Sequence, residues 1–233
     1  MFKTALKRLA GKFGNYFLVN NAGYWDRYAL LWRLTGKCRK YEFLGNEWKG
    51  EEIFLQLLEK YSVGRPIALE IGCGGGRITA HATEHFNKLY ATDVSRRMVE
   101  QCRKALQNHS SIEFLKTDGF TLREFNDRSV NFVFSHDVFV HFSSLQVHPY
   151  LCEIKRVLRA NGIALLSFYN FAKHFPLFKE MALGYSKAHQ IPPHMRVHFL
   201  TQEMLRLMSV DAGFNIIELN TENYLIAVLQ PVA

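Results

Sequence analysis

ALEIGCGGGRIT, residues 68–79, joins a short apolar run to a loop with four glycines in five positions. A short apolar run that ends in a glycine-rich turn is typical of a buried strand followed by a loop and a helix. Because glycine has no side chain, the backbone of such a loop can lie directly against a ligand. The stretch therefore predicts a strand–loop–helix unit that binds a ligand at its loop.

The chain around and beyond this loop alternates between strand-length apolar runs and longer amphipathic stretches. The predicted strands are IALEI, LYATD, IEFLKTD, VNFVFSHD and IALLSFY, followed by a hairpin of FNIIELN and YLIAVLQ. Because the parallel strands are almost continuously apolar, both faces of the sheet should be covered by helices. We therefore predict an α/β fold with a Rossmann-like, doubly wound sheet of seven mostly parallel strands, of which the last is antiparallel.

Helices are predicted between these strands. Ser95 is a suitable N-cap for one of them, and Gly213 should end the last one. Gly162, in the segment ANG, suits a left-handed turn before the fifth strand. The predicted helices cover Arg77–Phe86, Ser95–Leu106, Tyr150–Leu158 and Thr201–Ala212.

Two regions lie outside this alternation. Residues 1–62 read as mostly helical and rich in aromatic side chains, and they predict a lid that precedes a Rossmann-like domain at residues 63–233. Residues 171–199 form an insertion before the last helix. Insertions at the carboxyl ends of strands lie over the ligand crevice. We therefore expect both regions to contribute to the walls of the binding site.

Composition narrows the class of protein. The 233 residues, 48% hydrophobic and 21% charged, match a soluble globular chain with one sizeable domain. The net charge of +8 is spread along the chain, so a solvated surface is a sufficient explanation and no specific nucleic-acid ligand is predicted. The four cysteines form no C-x-x-C pair, so neither a metal site nor a disulfide framework is predicted. Without an apolar span or a secretory signal, a cytoplasmic location is expected.

The glycine loop distinguishes between ligand classes. No lysine follows the glycines as in a phosphate-binding P-loop, and the dinucleotide spacing G-x-G-x-x-G fails because its last position is Arg77 or Thr79. The pattern that fits is E-x-G-x-G-x-G, beginning at Glu70. An ionised carboxylate there would repel a pyrophosphate and attract an ammonium or sulfonium group.

This pattern resembles the class I S-adenosylmethionine-dependent methyltransferases, and the resemblance extends over about residues 40–230. It implies S-adenosyl-L-methionine as cofactor. Asp93 would bind the ribose hydroxyls, Asp118 and Gly119 the adenine amino group, and Ser135 with His136 the methionine side. The cofactor-binding residues implied in this way are Glu70, Gly72, Cys73, Gly74, Gly76, Asp93, Val94, Met98, Asp118, Gly119, Ser135 and His136.

Simpler interpretations remain open for several of these residues. Asp93 could act only as a cap for the helix that begins near Ser95, and Asp118–Gly119 is also a common turn sequence. The aromatic residues Tyr24, Trp25, Tyr28 and Trp48 are either core residues or close over the cofactor.

Methyl transfer depends mainly on alignment of the acceptor and the methyl group in a dry pocket. A hydroxyl acceptor also needs a general base, for which histidine is suited near neutral pH. We predict His141, just after the fourth strand, as this base, with His194 and His198 of the insertion as alternatives. Each of these histidines could equally be structural.

The acceptor is predicted by exclusion. Ser135–His136–Asp137–Val138 differs from the [DNS]-P-P-[FYW] motif of enzymes that methylate amino groups of DNA bases. The remaining candidates are small molecules, including sugars, lipid or quinone precursors and secondary metabolites, methylated on O, N or C. Among these we predict O-methylation of a sugar, a lipid precursor or a secondary metabolite. The alternative is a non-catalytic protein of the same fold that binds S-adenosylmethionine or a partner. A dehydrogenase is a weaker alternative.

Residues 1–14 carry a separate prediction. If residues 2–13 form a helix, its apolar side chains lie on one face. The basic residues Lys3, Lys7, Arg8 and Lys12 lie outside that face. A lid helix packed on the core explains this pattern. The alternative is a peripheral contact with an anionic membrane. The oligomeric state is not predicted.

Overall fold

The computed structural model describes residues 21–35, 43, 50–188 and 197–232 of the chain. Within these residues, two helices precede the sheet, and strands and helices alternate after them. The elements are α1 (Asn21–Leu34), α2 (Glu52–Ser62), β1 (Ile67–Ile71), α3 (Arg77–Ala82), β2 (Lys88–Asp93), α4 (Arg96–Ala105), β3 (Ile112–Lys116), β4 (Val130–Ser135), a 3-10 turn (Phe139–His141), α5 (Ser144–Val157), β5 (Leu158–Asn170), α6 (Phe175–Ala188), β6 (Phe199–Leu200), α7 (Gln202–Asp211), β7 (Phe214–Asn220) and β8 (Tyr224–Pro231).

The strands form one sheet in the order β3-β2-β1-β4-β5-β8-β7, and the short β6 pairs with the end of β5. Strands β1 to β5 are parallel to their neighbours, whereas β8 is antiparallel to both β5 and β7. This arrangement confirms the predicted α/β, Rossmann-like sheet with an antiparallel last strand. The order reverses between β1 and β4, and in such sheets ligands bind at the carboxyl ends of the strands near that reversal.

The hydrophobic core lies on both faces of the sheet. On one face, α5 and α7 cover β1, β4 and β5 with side chains such as Leu151, Ile154 and Leu205. On the other face, α2 and α3 cover the same strands with Phe54, Leu58 and others. Every residue of β4 is buried, which explains why this strand shows no polar alternation in the sequence.

Two predicted details of local structure are wrong. Helix α5 begins at Ser144, where a capping box with Ser143 starts it, and not at Tyr150. Gly162 lies inside β5 without a positive φ, so it does not form the predicted left-handed turn. A Cβ at Gly162 would lie 3.1 Å from the carbonyl oxygen of Asn131, where the β4–β5 register shifts. The glycine therefore allows close approach of two strands at a bulge.

The helices before the sheet have separate packing partners. Helix α1 packs on α4, where Ala29 and Trp32 contact Met98. The predicted helix at residues 2–13 lies outside the described residues, as does Trp48. The insertion contributes α6, and His194 also lies outside the described part. None of the helices in the described ranges has both the length and the apolar character of a membrane span.

Candidate active site

A cavity opens at the carboxyl ends of the parallel strands, where the sheet order reverses. Its walls come from the loops after β1, β2, β3 and β4, from the 3-10 turn and from one side chain of α1. Most of the residues predicted from the sequence line it together. These are Glu70, Gly72, Cys73, Gly74, Asp93, Val94, Met98, Asp118, Gly119, His136 and His141.

Gly76 and Ser135 do not line this cavity. Gly76 begins α3 with a φ of +100°, and a Cβ there would lie 3.1 Å from the sulfur of Cys102. The Ser135 hydroxyl donates a hydrogen bond of 2.8 Å to the carbonyl of Ile71 and so connects β4 to β1. Both residues therefore shape the loops around the cavity without forming its surface.

The glycine loop leaves space for a ligand. Gly72 and Gly74 have φ values of +79° and +52°, in the left-handed region that glycine tolerates. A Cβ at Gly72 would collide with the side chain of Val138, whereas a Cβ at Gly74 would meet no atom within 4 Å. Gly74 therefore faces open space beside the main chain, as a loop that receives a ligand should.

Asp93 is held at the edge of the cavity by two backbone groups. Its Oδ2 accepts a hydrogen bond of 3.0 Å from the Gly74 N–H, and its Oδ1 accepts one of 2.8 Å from the Ser95 N–H. The side-chain cap of α4 is Ser95, whose hydroxyl accepts from the Met98 N–H. Burial raises the pKa of Asp93 to about 6. Each carboxylate oxygen keeps a lone pair for a ligand hydroxyl.

The protonation state of Glu70 differs from the ionised carboxylate considered from the sequence. It is buried at the end of β1, where its Oε2 accepts a hydrogen bond of 2.6 Å from the Thr79 hydroxyl. Burial raises the pKa of Glu70 to about 8, so the protonated form predominates at neutral pH. A cationic ligand nearby would favour the ionised form, so the predicted attraction arises only together with loss of this proton.

Asp118 forms a turn as well as part of the cavity wall. Its Oδ1 accepts hydrogen bonds from the N–H groups of Phe120 and Thr121, both of 2.8 Å, and its Oδ2 accepts one from the Thr121 hydroxyl. These bonds outweigh burial and hold the pKa of Asp118 below its ordinary value. Gly119 packs so tightly that a Cβ would lie 2.8 Å from the Val94 side chain. The turn therefore fixes one end of the cavity.

His141 and Trp25 form an aromatic corner of the cavity. Their ring centroids lie 4.9 Å apart with the rings nearly perpendicular, and both residues line the cavity. Trp25 is thus a wall residue, whereas Tyr28 packs between α1 and α4. His198 approaches this corner only through its main chain, whose N–H donates a hydrogen bond of 2.7 Å to the Val140 carbonyl. His198 does not line the cavity.

A second part of the cavity is lined by Arg77, His136 and Asp137, which form a polar cluster with Glu51. Arg77 Nη1 lies 2.8 Å from Glu51 Oε2, and Arg77 Nη2 lies 3.5 Å from Asp137 Oδ2. Within the described ranges, several buried atoms of the cluster make no hydrogen bond: Glu51 Oε2, Arg77 Nη1, Asp137 Oδ1 and both ring nitrogens of His136. Burial lowers the pKa of His136, so its ring is neutral.

Several cavity residues escaped the sequence analysis. Arg77 directly follows the glycine loop and Asp137 directly follows His136, so their positions offered a signal. Tyr150 belongs to a helical pattern that indicates only core packing, and Phe142 follows the fourth strand without any motif, so nothing in the sequence places them in the cavity.

Comparison with known proteins identifies the domain. Residues 69–166 match the family model of a methyltransferase domain. The structure is similar to that of the PH0226 protein from Pyrococcus horikoshii, with 22% identity over 78% of this chain and 89% of that chain and a TM-score of 0.63. It is also similar to an S-adenosylmethionine-dependent methyltransferase from Methanosarcina mazei, with 17% identity over 76% and 97% of the two chains and a TM-score of 0.63.

A third similar structure is a putative methyltransferase from Haloferax volcanii in complex with the Trm112 methyltransferase activator. It shares 17% identity over 90% of this chain and 98% of that chain, with a TM-score of 0.62. At these identities the three structures show a common fold. The family match at residues 69–166 shows a methyltransferase domain, which confirms the prediction of a methyltransferase that uses S-adenosyl-L-methionine.

Proposed function

We propose that this enzyme transfers the methyl group of S-adenosylmethionine to a hydroxyl group of a small-molecule acceptor. The observation that carries the proposal is the placement of His141 and Trp25 in the same cavity as Gly74 and Asp93. One cavity thus offers a cofactor cradle and a histidine beside an aromatic wall. An aromatic wall suits a compact organic acceptor, because binding then removes apolar surface from water.

The residues of the cavity fit the parts of the cofactor. Gly74 leaves space for close approach, and Asp93 would accept hydrogen bonds from the ribose hydroxyls. The turn at Asp118–Gly119, with Val94 and Met98, would enclose the adenine. The remaining end of the cavity is lined by Arg77, His136 and Asp137, and Arg77 also pairs with Glu51, so charged groups of both signs meet there. Such a cluster suits the ammonium and carboxylate groups of the methionine part.

The cofactor and the protein make different contributions to the reaction. When bound, S-adenosylmethionine supplies an electrophilic methyl group on a sulfonium. The chain orients the acceptor oxygen against it and keeps water out of the cavity. His141 would accept the hydroxyl proton at a ring nitrogen as the oxygen becomes bonded to carbon. We further propose that residues 1–62 act as a lid on the domain formed by residues 63–233.

Calorimetry with S-adenosylmethionine, S-adenosylhomocysteine and NAD tests the cofactor assignment. We expect S-adenosylmethionine and S-adenosylhomocysteine to bind and NAD not to bind. Asp93→Ala should weaken S-adenosylhomocysteine binding at least tenfold, since a hydrogen bond to a charged group contributes roughly 1.5–3 kcal/mol. An unchanged dissociation constant would mean that Asp93 only organises the loop.

A screen of acceptors tests the reaction itself. Purified enzyme with labelled S-adenosylmethionine should label hydroxyl compounds among sugars, lipid precursors and secondary metabolites. The matched set of compounds whose hydroxyls are already methylated should remain unlabelled. Tight cofactor binding without transfer to any acceptor class would favour the non-catalytic alternative.

A further inference from the structure

Helix α1 is connected to the glycine loop by a continuous chain of hydrogen bonds. Asp26 Oδ1 accepts a bond of 2.6 Å from the Ser95 hydroxyl. The Ser95 N–H donates a bond of 2.8 Å to Asp93 Oδ1, and the Gly74 N–H donates one of 3.0 Å to Asp93 Oδ2. The chain Asp26–Ser95–Asp93–Gly74 therefore joins an element outside the Rossmann-like domain to the backbone that faces the cofactor cavity.

Asp26 occupies the N-terminus of α4, where a carboxylate is electrostatically favoured. Besides the Ser95 hydroxyl, its Oδ1 accepts a bond of 3.1 Å from the Arg97 N–H. Ser95 is fully buried, and its hydroxyl already accepts from the Met98 N–H. Asp26 satisfies the remaining donor, so the side chain that caps α4 is fixed from α1.

The same helix forms part of the cavity wall. Trp25, next to Asp26, lines the cavity and contacts His141. One turn further along, Ala29 packs with Trp32 against Met98, which also lines the cavity. When Asp26 is bonded to Ser95 and Arg97, these side chains lie against the space that the cofactor would occupy.

We infer that Asp26 is a positioning residue for cofactor binding: it seats α1 on the N-terminus of α4 and, through Ser95, fixes the carboxylate of Asp93. The inference rests on the proposed binding of S-adenosylmethionine in this cavity. Because coupling between two binding events is reciprocal, cofactor binding should also hold α1 in place. Asp26 touches neither the cofactor nor the acceptor in this assignment.

The test compares Asp26→Ala, Asp26→Asn and the control Asp127→Ala. Asp127 is an acid that pairs with Arg156 and does not line the cavity. Calorimetry with S-adenosylhomocysteine should show about tenfold weaker binding for Asp26→Ala. Asp26→Asn should recover most of this loss, since an amide oxygen accepts the same two hydrogen bonds. Asp127→Ala should bind like the wild type. Circular dichroism confirms that each variant is folded.

Hydrogen exchange of residues 21–35 gives a readout independent of activity. In the wild type, S-adenosylhomocysteine should slow this exchange at least fivefold, and in Asp26→Ala it should not. Folded Asp26→Ala that binds within twofold of the wild type would overturn the inference, as would equal ligand protection of α1 in both proteins. If the wild type itself binds no S-adenosylhomocysteine, the proposed function fails instead.

Discussion

Two arginines of this protein lie in contrasting surroundings. Arg156 donates bonds of 2.8 and 2.9 Å to the two carboxylate oxygens of Glu153 and one of 2.7 Å to Asp127. It also donates to the carbonyls of Leu122 and Phe125, both at 2.9 Å. This network connects the end of α5 to the loop before β4.

Arg77 contacts two acids as well, but with poorer alignment. In the same cluster, one oxygen of Asp137 and both ring nitrogens of His136 have no hydrogen-bond partner within the parts of the chain that the structure describes. An unsatisfied buried polar atom costs roughly 1–3 kcal/mol. A network that only stabilised a fold would not concentrate such atoms. We therefore expect Arg156 to stabilise the fold and the cluster of Arg77 to bind a ligand.

The largest expected effect is on the rate of methyl transfer, and it is tested by replacing one histidine inside the cavity and one outside it. His141→Ala should slow methyl transfer roughly 10²–10⁴-fold, because the acceptor loses its general base. The control His148→Ala removes a histidine that pairs with Asp211 at 2.7 Å, outside the cavity, and should leave the rate unchanged. Single-turnover rates with an identified acceptor measure both.

The affinity for S-adenosylhomocysteine separates the alternatives for His141. We expect His141→Ala to bind it normally. A parallel loss of rate and affinity would make His141 a residue of the cofactor pocket, and a loss of neither would make it structural.

The next prediction directly tests whether Arg77 and Arg156 have different roles. Arg77→Lys and Arg156→Lys both keep the positive charge and lose the planar guanidinium group, which can donate two parallel hydrogen bonds to a carboxylate. Arg77→Lys should weaken S-adenosylhomocysteine binding about five- to tenfold, with little change in melting temperature, because a fork that binds a carboxylate is lost. Arg156→Lys should lower the melting temperature by about 5–10 °C and leave the affinity unchanged.

Calorimetry measures the affinity of the two variants for S-adenosylhomocysteine, and thermal unfolding of the same preparations measures their melting temperatures. If Arg77→Lys lowers stability as Arg156→Lys does and leaves affinity intact, the two arginines are equivalent and the contrast is wrong.

The smallest effect concerns Glu70, whose folded-state pKa of about 8 lies above its ordinary value of 4.5. The folded protein therefore retains a proton that the unfolded chain loses as pH rises from 4.5 to 8, and stability falls over this interval. Glu70→Gln should raise the melting temperature by a few degrees at pH 8 and hardly at pH 4. Glu113→Gln, at an exposed pair with Lys88, is the control. An equal effect of Glu70→Gln at both pH values would contradict the raised pKa.

The sequence predicted the sheet and most of the cavity because both depend on local patterns. Continuous apolar runs identify strands such as β4, and side chains at the carboxyl ends of neighbouring parallel strands converge whatever the connections between them. Glu70, Asp93 and Asp118 are brought together in this way. The roles assigned to these residues remain predictions.

The rest depends on contacts that no local pattern encodes. Asp26 and Ser95 are 69 positions apart and meet only because α1 packs on α4. The turn signal at Gly162 was overridden by strand pairing at a bulge. The protonation of Glu70 follows from the depth of its burial, which a sequence does not state.

One hydrogen bond has a consequence for how this enzyme can diversify. The insertion rejoins the domain through the N–H of His198 and the carbonyl of Val140, next to the turn that presents His141. A bond between main chains places no demand on the identity of either side chain, and any residue except proline can supply the donor. His198 can therefore be replaced by any residue with a backbone N–H while the bond that holds the turn is kept. We therefore expect substitutions at His198 to leave the cofactor cavity unchanged, because His198 does not line it.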